Sequence, residues 1–297
     1  MNQYKGEQLF EGTIYAVVAA MALACLLPLL HVAAMSLSSK AAVEAGRVSF
    51  FPVETTLAPY EYILRDGQYL TSFGVSALRM AVGTLVQLST VVIMAYPMSL
   101  SKRYFPARNR YMTYLLFTSM FGGGLIPWYL LITSIGLTNN FAALIVPDMV
   151  NIGSAILMMN YFRNLPKALF ESAQIDGAGH GRILTAIYLP MSLPIIATVT
   201  LFSAVGFWND YFRGMIVMTK GRWIPLQTYI RSLTFDTASA QINATLTNPT
   251  YMAMAAQISG RNFTAAKLMV AMIPLLMVYP FVQRYFVTGI TLGAVKE

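Results

Sequence analysis

The chain has 297 residues, of which 57% are hydrophobic and only 11% are charged, with a formal net charge of +8. Soluble domains carry roughly 25% charged residues, so this composition excludes an ordinary soluble protein and indicates a membrane protein. The basic residues are separated by apolar runs, which is not the clustered basic face of a nucleic-acid-binding protein. Cys25 is the single cysteine, so no intramolecular disulfide can form.

The first apolar block covers residues 14–35 and follows a short polar head. At 1.5 Å rise per residue its helix would be about 33 Å long, which is enough to cross the hydrocarbon core. A cleaved signal peptide is the alternative, but its apolar region would be only about 7–15 residues long, and the chain that follows is also apolar. We therefore predict a retained first span, with His31 near its end as an interfacial or hydrogen-bonded histidine.

The orientation is predicted by the loop that follows the second apolar block. Residues 36–70 are polar and contain two prolines, which favours an external loop, and residues 71–100 form the second span. The next ten residues, SKRYFPARNR, contain Lys102, Arg103, Arg108 and Arg110. Short basic loops remain in the cytoplasm, so we expect this loop, and with six spans both termini, to be cytoplasmic.

The remaining apolar blocks complete a single transmembrane domain over residues 1–297. The predicted spans are 14–35, 71–100, 111–135, 141–162, 193–218 and 265–286. Gly122-Gly123-Gly124 in the third span is a place where the backbone can unwind or another helix can approach closely. No Gly-Lys-Ser/Thr follows that would make it a phosphate loop. Residues 219–263 are predicted as an external loop, in which 251–257 is a candidate short helix.

Residues 163–190, between the fourth and fifth spans, predict a helix–turn–helix. Asn164 and Pro166 provide a helix start, because a capping amide and a first-turn proline deal with unpaired amide donors. Gly177 suits the left-handed residue that ends many helices. A second helix begins near His180 and ends at Pro190.

The sequence of this loop, ESAQIDGAGHGRILTAIYLP at 171–190, resembles the EAA loop of ABC-importer membrane subunits. There a glutamate, two alanines, a glycine and a terminal I-x-L-P recur at this spacing, and Ser172 is the only departure. The resemblance implies coupling helices that dock in a cleft of a cytosolic ATPase; the alternative is a hairpin packed on its own bundle. The residues expected to contribute to coupling are Glu171, Ser172, Ala173, Asp176, Gly177, Ile187, Leu189 and Pro190.

We assign each part of this loop a role. Glu171 would accept a charged hydrogen bond from a basic group of the ATPase. Leu169 and Ala173, four residues apart, would form the apolar docking face. Gly177 would set the angle between the two helices.

Charged groups inside the spans are the next candidates, since a charge at the bilayer centre costs about 2.5–3.5 kcal/mol on insertion scales. The run FWNDYFR at 207–213 would place Asn209 and Arg213 four residues apart on one side of a helix. Aromatic rings beside amides and carboxylates suit a sugar, whereas an Asp–Arg pair or an interfacial aromatic belt would be purely structural. The candidate substrate-pathway residues are Asp148, Trp208, Asn209, Asp210, Tyr211 and Arg213.

The six spans, the tryptophan–asparagine–acid run and the tail YPFVQRYFVTGITLGAVKE are similar to the maltose-type carbohydrate branch of these permeases. Within that branch the chain resembles permeases for polysaccharide-derived oligosaccharides, including the uronate and alginate type, more than the maltose subunit itself. The resemblance implies a type I ABC importer permease in a bacterial inner membrane. It also implies a second permease subunit, two ATPase subunits that bind ATP and magnesium, and an extracytoplasmic binding protein. The chain has no Walker motif, nucleophile–base set or metal-ligand set, so we expect no catalysis or cofactor in this chain. A self-sufficient secondary transporter is the alternative function.

Overall fold

The computed structural model describes residues 2–235 and 258–294. Within these ranges the chain is helical, and its only extended pairing is an isolated bridge between Ser38 and Thr55. Residues 236–257 of the predicted loop 219–263, which include the candidate helix at 251–257, lie outside the described residues.

The helices are named here in chain order. They are α1 (Asn2–Ser36), α2 (Lys40–Glu44), α3 (Ala58–Arg65), α4 (Gly67–Ser99), α5 (Arg108–Met120), α6 (Leu125–Ser134), α7 (Ile152–Arg163), α8 (Lys167–Ile175), α9 (His180–Met191), α10 (Leu193–Asn209), α11 (Phe212–Val217), α12 (Leu226–Phe235) and α13 (Gly260–Ala294). Two short 3₁₀ turns, Phe141–Leu144 and Val146–Asp148, precede α7.

Three of the described helices are continuous and apolar enough to cross a membrane, namely Phe10–Ser36 within α1, α4 itself, and Gly260–Val278 within α13. Three further candidates are bent pairs. The bend is 110° between α5 and α6, 48° between the 3₁₀ segment and α7, and 84° between α9 and α10. With each pair counted as one span, the described chain has six spans.

Each bend has a local cause in the sequence. Gly124 lies between α5 and α6 with φ +81°, in the left-handed region where glycine pays no Cβ penalty. Pro147 interrupts the segment before α7, and Pro194 opens α10 after Ser192. Proline removes an amide donor and its ring clashes with the preceding turn, so helices break there.

The first compact unit of the chain comprises residues 1–70 and 232–273. The end of α1 packs through Ala34 against Ala42, Val43 and Val48. His31 lies close to this end, and its Nδ1 is 2.7 Å from the carbonyl oxygen of Ser49, so the histidine is hydrogen-bonded as expected. This part of the chain contains the short helices α2 and α3, which sequence analysis treated as loop.

Buried polar contacts connect α13 to the rest of this unit. The side chain of Asn262 is fully buried, and its Nδ2 donates to the carbonyl of Ser38 at 3.2 Å. The hydroxyl of Tyr69 donates to the carbonyl of Lys267 at 3.1 Å. Hydrogen bonds of this kind satisfy the polar groups of the buried side chains on both sides of the contact.

The second unit comprises residues 71–231 and 274–297 and contains both candidate sites. One core cluster surrounds the end of α4 and includes Val91, Tyr96, Met158, Phe162 and Ile183. Another cluster includes Val75, Ile132, Leu144 and Val217. Arg79 and Gln87 of α4 lie between Val75 of one cluster and Val91 of the other in the sequence.

Two features differ from the prediction. The fifth span is not one helix, because α10 ends at Asn209 and Asp210 is extended, with φ −73° and ψ 107°. In addition, α12 forms inside the predicted loop 219–263, with Leu226, Tyr229 and Ile230 buried on one face. The loop prediction missed α12 because its apolar face covers only three turns of a mixed sequence.

Candidate functional site

The first helix of the EAA-like loop, α8, ends in a Schellman motif at Gly177. The amide of Gly177 donates to the carbonyl of Gln174 at 3.0 Å, and the amide of Ala178 donates to the carbonyl of Ala173 at 2.9 Å. Gly177 has φ +73°, as the motif requires. The glycine therefore fixes the direction in which the chain leaves α8.

The buried face of α8 differs from the predicted one. Phe170 and Ala173 are 6% and 9% exposed and belong to the core cluster of the bundle. Leu169 is 38% exposed and Ile175 is 86% exposed. Ala173 lies on the same side of the helix as Phe170, and this side faces the bundle, so the assignment of Ala173 to a docking face is wrong. The exposed apolar side chains of α8 are Leu169 and Ile175.

An aromatic cluster holds the loop on α4. The hydroxyl of Tyr96 lies 2.9 Å from Nδ1 of His180, and the two rings meet edge-to-face at 5.9 Å. Tyr96 also packs edge-to-face on Tyr188 at 5.1 Å, and Phe170 of α8 contacts both His180 and Tyr188. Tyr96 of α4 thus contacts the second loop helix through His180 and Tyr188. The first loop helix joins the same cluster, because Phe170 contacts these two residues.

The second loop helix, α9, does not end at Pro190 as predicted. It continues to Met191 and is π-helical over Leu184–Tyr188, directly before the proline. Widening of the turn relieves the clash between the proline ring and the preceding carbonyl. Ile187 and Leu189 are half-buried and pack on the core cluster, so the I-x-L-P end of the loop seats α9 on the bundle.

A cleft of about 330 Å³ separates the two loop helices. Its walls combine small and apolar side chains with one acidic and one basic residue. The lining residues are Ala173, Asp176, Ala178, Arg182, Ile183, Ala186 and Ile187. Glu171, Ser172, Asp176 and Gly177 are all exposed along this part of the loop, so they are available for contact with another protein.

Two arginines satisfy the last carbonyls of α4. Arg108 Nη1 donates to the carbonyl of Leu100 at 2.9 Å, and Arg163 Nη2 donates to that of Met98 at 3.1 Å. A helix leaves its last carbonyls without intrahelical partners, and cations there are favourable to the helix dipole. The basic segment after α4 therefore has a structural role in closing this helix.

The second candidate site is a cluster of two arginines and two aspartates, which we call the ion cluster. Arg79 of α4 is fully buried and donates to the backbone oxygen of Asp210 at 2.9 Å and to its carboxylate at 2.5 Å. Arg213 lies 3.1 Å from the same carboxylate and also pairs with Asp148. Each of the four charges has an opposite partner, which offsets the cost of burying them.

Asp210 also begins the next helix. Its Oδ1 accepts hydrogen bonds from the amides of Phe212 at 3.1 Å and Arg213 at 3.3 Å. Both amides are in the first turn of α11, where they have no intrahelical partner. One carboxylate therefore closes the break between α10 and α11 and pairs with two guanidinium groups.

Further polar groups of α4 contact the other break. Gln87 Nε2 donates to the carbonyl of Asp148 at 2.5 Å, and the hydroxyl of Ser203 donates to Oε1 of Gln87. Between Arg79 and Gln87, a Cβ on Gly83 would lie 2.8 Å from the ring of Phe207. Glycine at this position leaves room for the Phe207 ring of α10 to lie directly on α4, and a larger residue would require that ring to move.

The predicted pathway residues are separated by the structure. Asp148, Asp210 and Arg213 meet in the ion cluster, while Trp208 is only 1% exposed and packs edge-to-face on Phe73 at 5.6 Å. The prediction that Trp208 offers a ring face to a sugar is therefore wrong in this structure. Since the helix ends at Asn209, the predicted four-residue relation between Asn209 and Arg213 is wrong as well.

Asn209 is exposed, and Tyr211 is half-buried beneath the guanidinium of Arg231, 4.8 Å from its ring centroid. These two remain predictions as pathway residues. Sequence analysis missed Arg79, although a lone arginine in the apolar block 71–100 is itself a signal that a charge must find a partner. Among the described residues no group of histidine, cysteine, aspartate and glutamate could hold a metal ion.

Comparison with known proteins assigns the class. Residues 71–292 match the model of the family described as binding-protein-dependent transport system inner membrane component. The chain is 35% identical over 296 residues to protein LplC of Bacillus subtilis (strain 168), covering 100% of this chain and 98% of that protein. It is also 35% identical over 289 residues to the polygalacturonan/rhamnogalacturonan transport system permease protein YtcP of the same organism, covering 97% and 99%.

A solved structure matches as well. The crystal structure of a bacterial ABC transporter involved in the import of the acidic polysaccharide alginate aligns with a TM-score of 0.84 and 30% identity, covering 95% of this chain and 98% of that one. The fold is thus that of a type I ABC importer permease, an all-α membrane protein. The chain belongs to the family of binding-protein-dependent transport system inner membrane components. This family assignment favours a permease subunit over the self-sufficient secondary transporter.

Proposed function

We propose that this chain is a pore-forming permease subunit of an ATP-driven importer for oligosaccharides derived from acidic polysaccharides. The observation that carries the proposal is the agreement of two full-length similarities. One is to a polygalacturonan/rhamnogalacturonan permease and the other to an alginate importer. Galacturonan and alginate are both polymers of uronic acids, so the shared chemistry is a chain of sugar rings that carry carboxylates.

The remaining subunits follow from the family. The chain would pair with a second permease subunit, receive substrate from an extracytoplasmic binding protein, and dock two ATPase subunits that bind ATP and magnesium. In this arrangement the permease performs no chemistry of its own. It would lie in a bacterial inner membrane with both termini and the EAA-like loop in the cytoplasm, as the basic segment 101–110 favours.

The ion cluster contributes to this function by holding the helix breaks rather than by binding the substrate. Its two guanidinium groups are already paired with Asp148 and Asp210, so Arg213 has no free charge for a uronate. Exposed Asn209, at the end of α10, is the better candidate for contact with sugar hydroxyl groups. Amides both donate and accept hydrogen bonds, as hydroxyl recognition requires.

Uptake into proteoliposomes tests the substrate. The complete complex would be given a labelled oligogalacturonate and a labelled malto-oligosaccharide of equal length, with the binding protein outside and ATP inside. We expect uptake of the acidic sugar that requires both ATP and the binding protein. Uptake of the neutral sugar alone would contradict the acidic substrate, and uptake driven by an ion gradient without ATP would contradict the importer mechanism.

A charge reversal tests the ATPase contact. Glu171 is exposed at the edge of the loop, so Glu171→Lys should leave the bundle folded while replacing an acceptor by a repelling charge. We expect less ATPase to copurify with this variant than with wild type. Glu44→Lys, an exposed reversal in α2, is the matched control and should copurify normally. Normal copurification of both variants would mean that the loop packs only on its own bundle.

A further inference from the structure

Helix α4, most of which lies in the second unit, is continuous where neighbouring candidate spans are broken. Helix α4 runs without interruption from Gly67 to Ser99, whereas the pairs α5–α6, 3₁₀–α7 and α9–α10 bend by 110°, 48° and 84°. Bends at proline and glycine are the places where a helix can change direction at low cost. A continuous helix between such bends transmits displacement from one end to the other.

One end of α4 contacts the EAA-like loop through Tyr96. This side chain is 6% exposed, its hydroxyl lies 2.9 Å from His180 Nδ1, and its ring packs on Tyr188. His180 is the first residue of α9 and follows directly on the turn at Gly177. The hydrogen bond is therefore a directional contact between α4 and the start of the second loop helix.

Closer to the N-terminus of α4, Gln87 contacts the helix break at Asp148 and Arg79 contacts the helix break at Asp210. Arg79 precedes Tyr96 by seventeen residues, which is about 25 Å along a helix. Gln87 donates to the backbone of Asp148, and Arg79 donates to the backbone and carboxylate of Asp210. Between these two residues, the ring of Phe207 packs directly on Gly83, so α4 and α10 are in close contact here as well.

We propose that Tyr96 and His180 are a positioning pair that transmits displacement of the EAA-like loop to α4, and that Arg79 and Gln87 pass it on to the helix breaks at Asp210 and Asp148. The inference rests on the proposed function, because it needs an ATPase to displace the loop. It adds to that function a route for the displacement, which passes from the loop to Tyr96, along α4, and then to the helix breaks at Asp210 and Asp148. Coupling of this kind requires that the contacts remain made while the helix moves. The bond between buried Arg79 and the Asp210 carboxylate is charge-assisted, while the Tyr96–His180 and Gln87–Asp148 bonds are neutral.

The test measures uptake per ATP hydrolysed in proteoliposomes that contain the complete complex. Tyr96→Phe removes only the hydroxyl and keeps the ring contacts. We expect uptake per ATP to fall by about two- to tenfold, the range of a single neutral hydrogen bond, while hydrolysis is still stimulated by the binding protein. A purely structural defect would lower the amount of complex but not this ratio.

Three further variants isolate the hydrogen bond. His180→Ala should lower the ratio as Tyr96→Phe does, and the double variant should be no worse than either single one. His180→Asn, whose Oδ1 can take the place of Nδ1, should recover much of the loss. Tyr161→Phe is the matched control, because it removes a tyrosine hydroxyl whose hydrogen bond, to the carbonyl of Met191 at 3.4 Å, joins α7 to α9 and not to α4.

The possible failures are distinguishable. Wild-type uptake per ATP in both Tyr96→Phe and His180→Ala would overturn the transmission role and leave the importer function intact. An equal loss in Tyr161→Phe would also overturn it, since any hydroxyl near the loop would then have the same effect. Absence of ATP-dependent uptake by the wild-type complex would instead overturn the proposed function.

Discussion

Arg79 closes a helix break that lies 131 residues further along the chain, by donating to both the backbone oxygen and the carboxylate of Asp210. The arginine side chain is fully buried and the aspartate side chain is 15% exposed. A buried guanidinium that loses its carboxylate, or the reverse, is an uncompensated charge. This pair therefore determines the stability of the second unit more than the exposed ion pairs do.

Arg79→Met should strongly destabilise the protein. It removes three hydrogen bonds, to Leu144 and to two atoms of Asp210, and leaves the aspartate with Arg213 alone. Loss of one partner of a buried pair costs about 3–5 kcal/mol, so the thermal unfolding midpoint in detergent should fall clearly.

The matched control for this prediction is Arg47→Met. Arg47 pairs with Glu54 at 3.2 Å, but both side chains are more than half exposed, at 54% and 53%. Water and salt screen such a pair, so no measurable shift of the midpoint is expected. Equal shifts in the two variants would contradict the assignment of Arg79 as the critical buried charge.

Exchanging the charges of Asp210 and Arg213 should not be tolerated. In a simple two-residue pair, the double substitution Asp210→Arg with Arg213→Asp would keep the attraction. Here it would place a second guanidinium beside Arg79 and a second carboxylate beside Asp148. We expect little folded protein by size-exclusion chromatography in detergent, and a well-folded double variant would contradict the four-residue cluster.

Gly177→Ala should destabilise the loop because of its backbone conformation alone. No atom lies within 4 Å of a Cβ at this position, but φ is +73°. A left-handed conformation costs an L-residue about 1–2 kcal/mol, and asparagine pays less than alanine. We therefore expect ATPase copurification to decrease in the order wild type, Gly177→Asn, Gly177→Ala.

Gly181→Ala provides the control for the loop glycine. A Cβ there also meets open space, but Gly181 lies inside α9, where alanine is favoured over glycine by about 1 kcal/mol. Copurification should be unchanged or improved. If Gly181→Ala were as harmful as Gly177→Ala, the effect would be due to the added methyl group and not to the turn.

Trp208→Ala and Asn209→Ala should have different effects although the residues are adjacent. Trp208 is buried, and removal of a buried tryptophan costs about 3–5 kcal/mol, so that variant should unfold at lower temperature, whereas Trp208→Phe should be milder. Exposed Asn209→Ala should keep its unfolding midpoint and lower uptake. Normal uptake by Asn209→Ala would remove it from the pathway residues.

Cysteine labelling tests the orientation. In a Cys25→Ser background, Ser101→Cys and Ser172→Cys should be protected from an impermeant thiol reagent in intact cells, while Glu61→Cys should react. All three positions are exposed in the folded chain, so burial within the chain itself cannot explain protection. Labelling of Ser172→Cys from outside would contradict a cytoplasmic EAA-like loop.

The predicted spans rest on the most robust property of the sequence, the length of its apolar blocks. The breaks within them were only partly predictable. The glycines at 122–124 signalled the 110° bend, because glycine acts locally. The break at Asp210 gives no comparable signal, since its stability comes from Arg79, a contact between distant parts of the chain.

The loop shows the same division between local and long-range information. Gly177 was predicted as a left-handed helix end from residue type alone, and the structure confirms it with φ +73°. The buried face of α8 was predicted wrongly, since spacing identifies two apolar edges on one helix and only the neighbouring helices decide which is covered. Phe170 and Ala173 meet the bundle, and Leu169 does not.

Arg108 contributes both to the predicted membrane orientation and to the folded state. In the predicted orientation its charge is one of those that would retain a short loop on the inner side during synthesis, and lysine would serve equally well. After folding, its guanidinium donates to the carbonyl of Leu100, and the shorter reach and different donor geometry of lysine make that replacement imperfect. Arg108→Lys thus separates the two stages. The variant chain would insert in the same orientation, but the hydrogen bond at the end of α4 would be weaker in the folded protein. Insertion and final stability can therefore be measured independently at one residue.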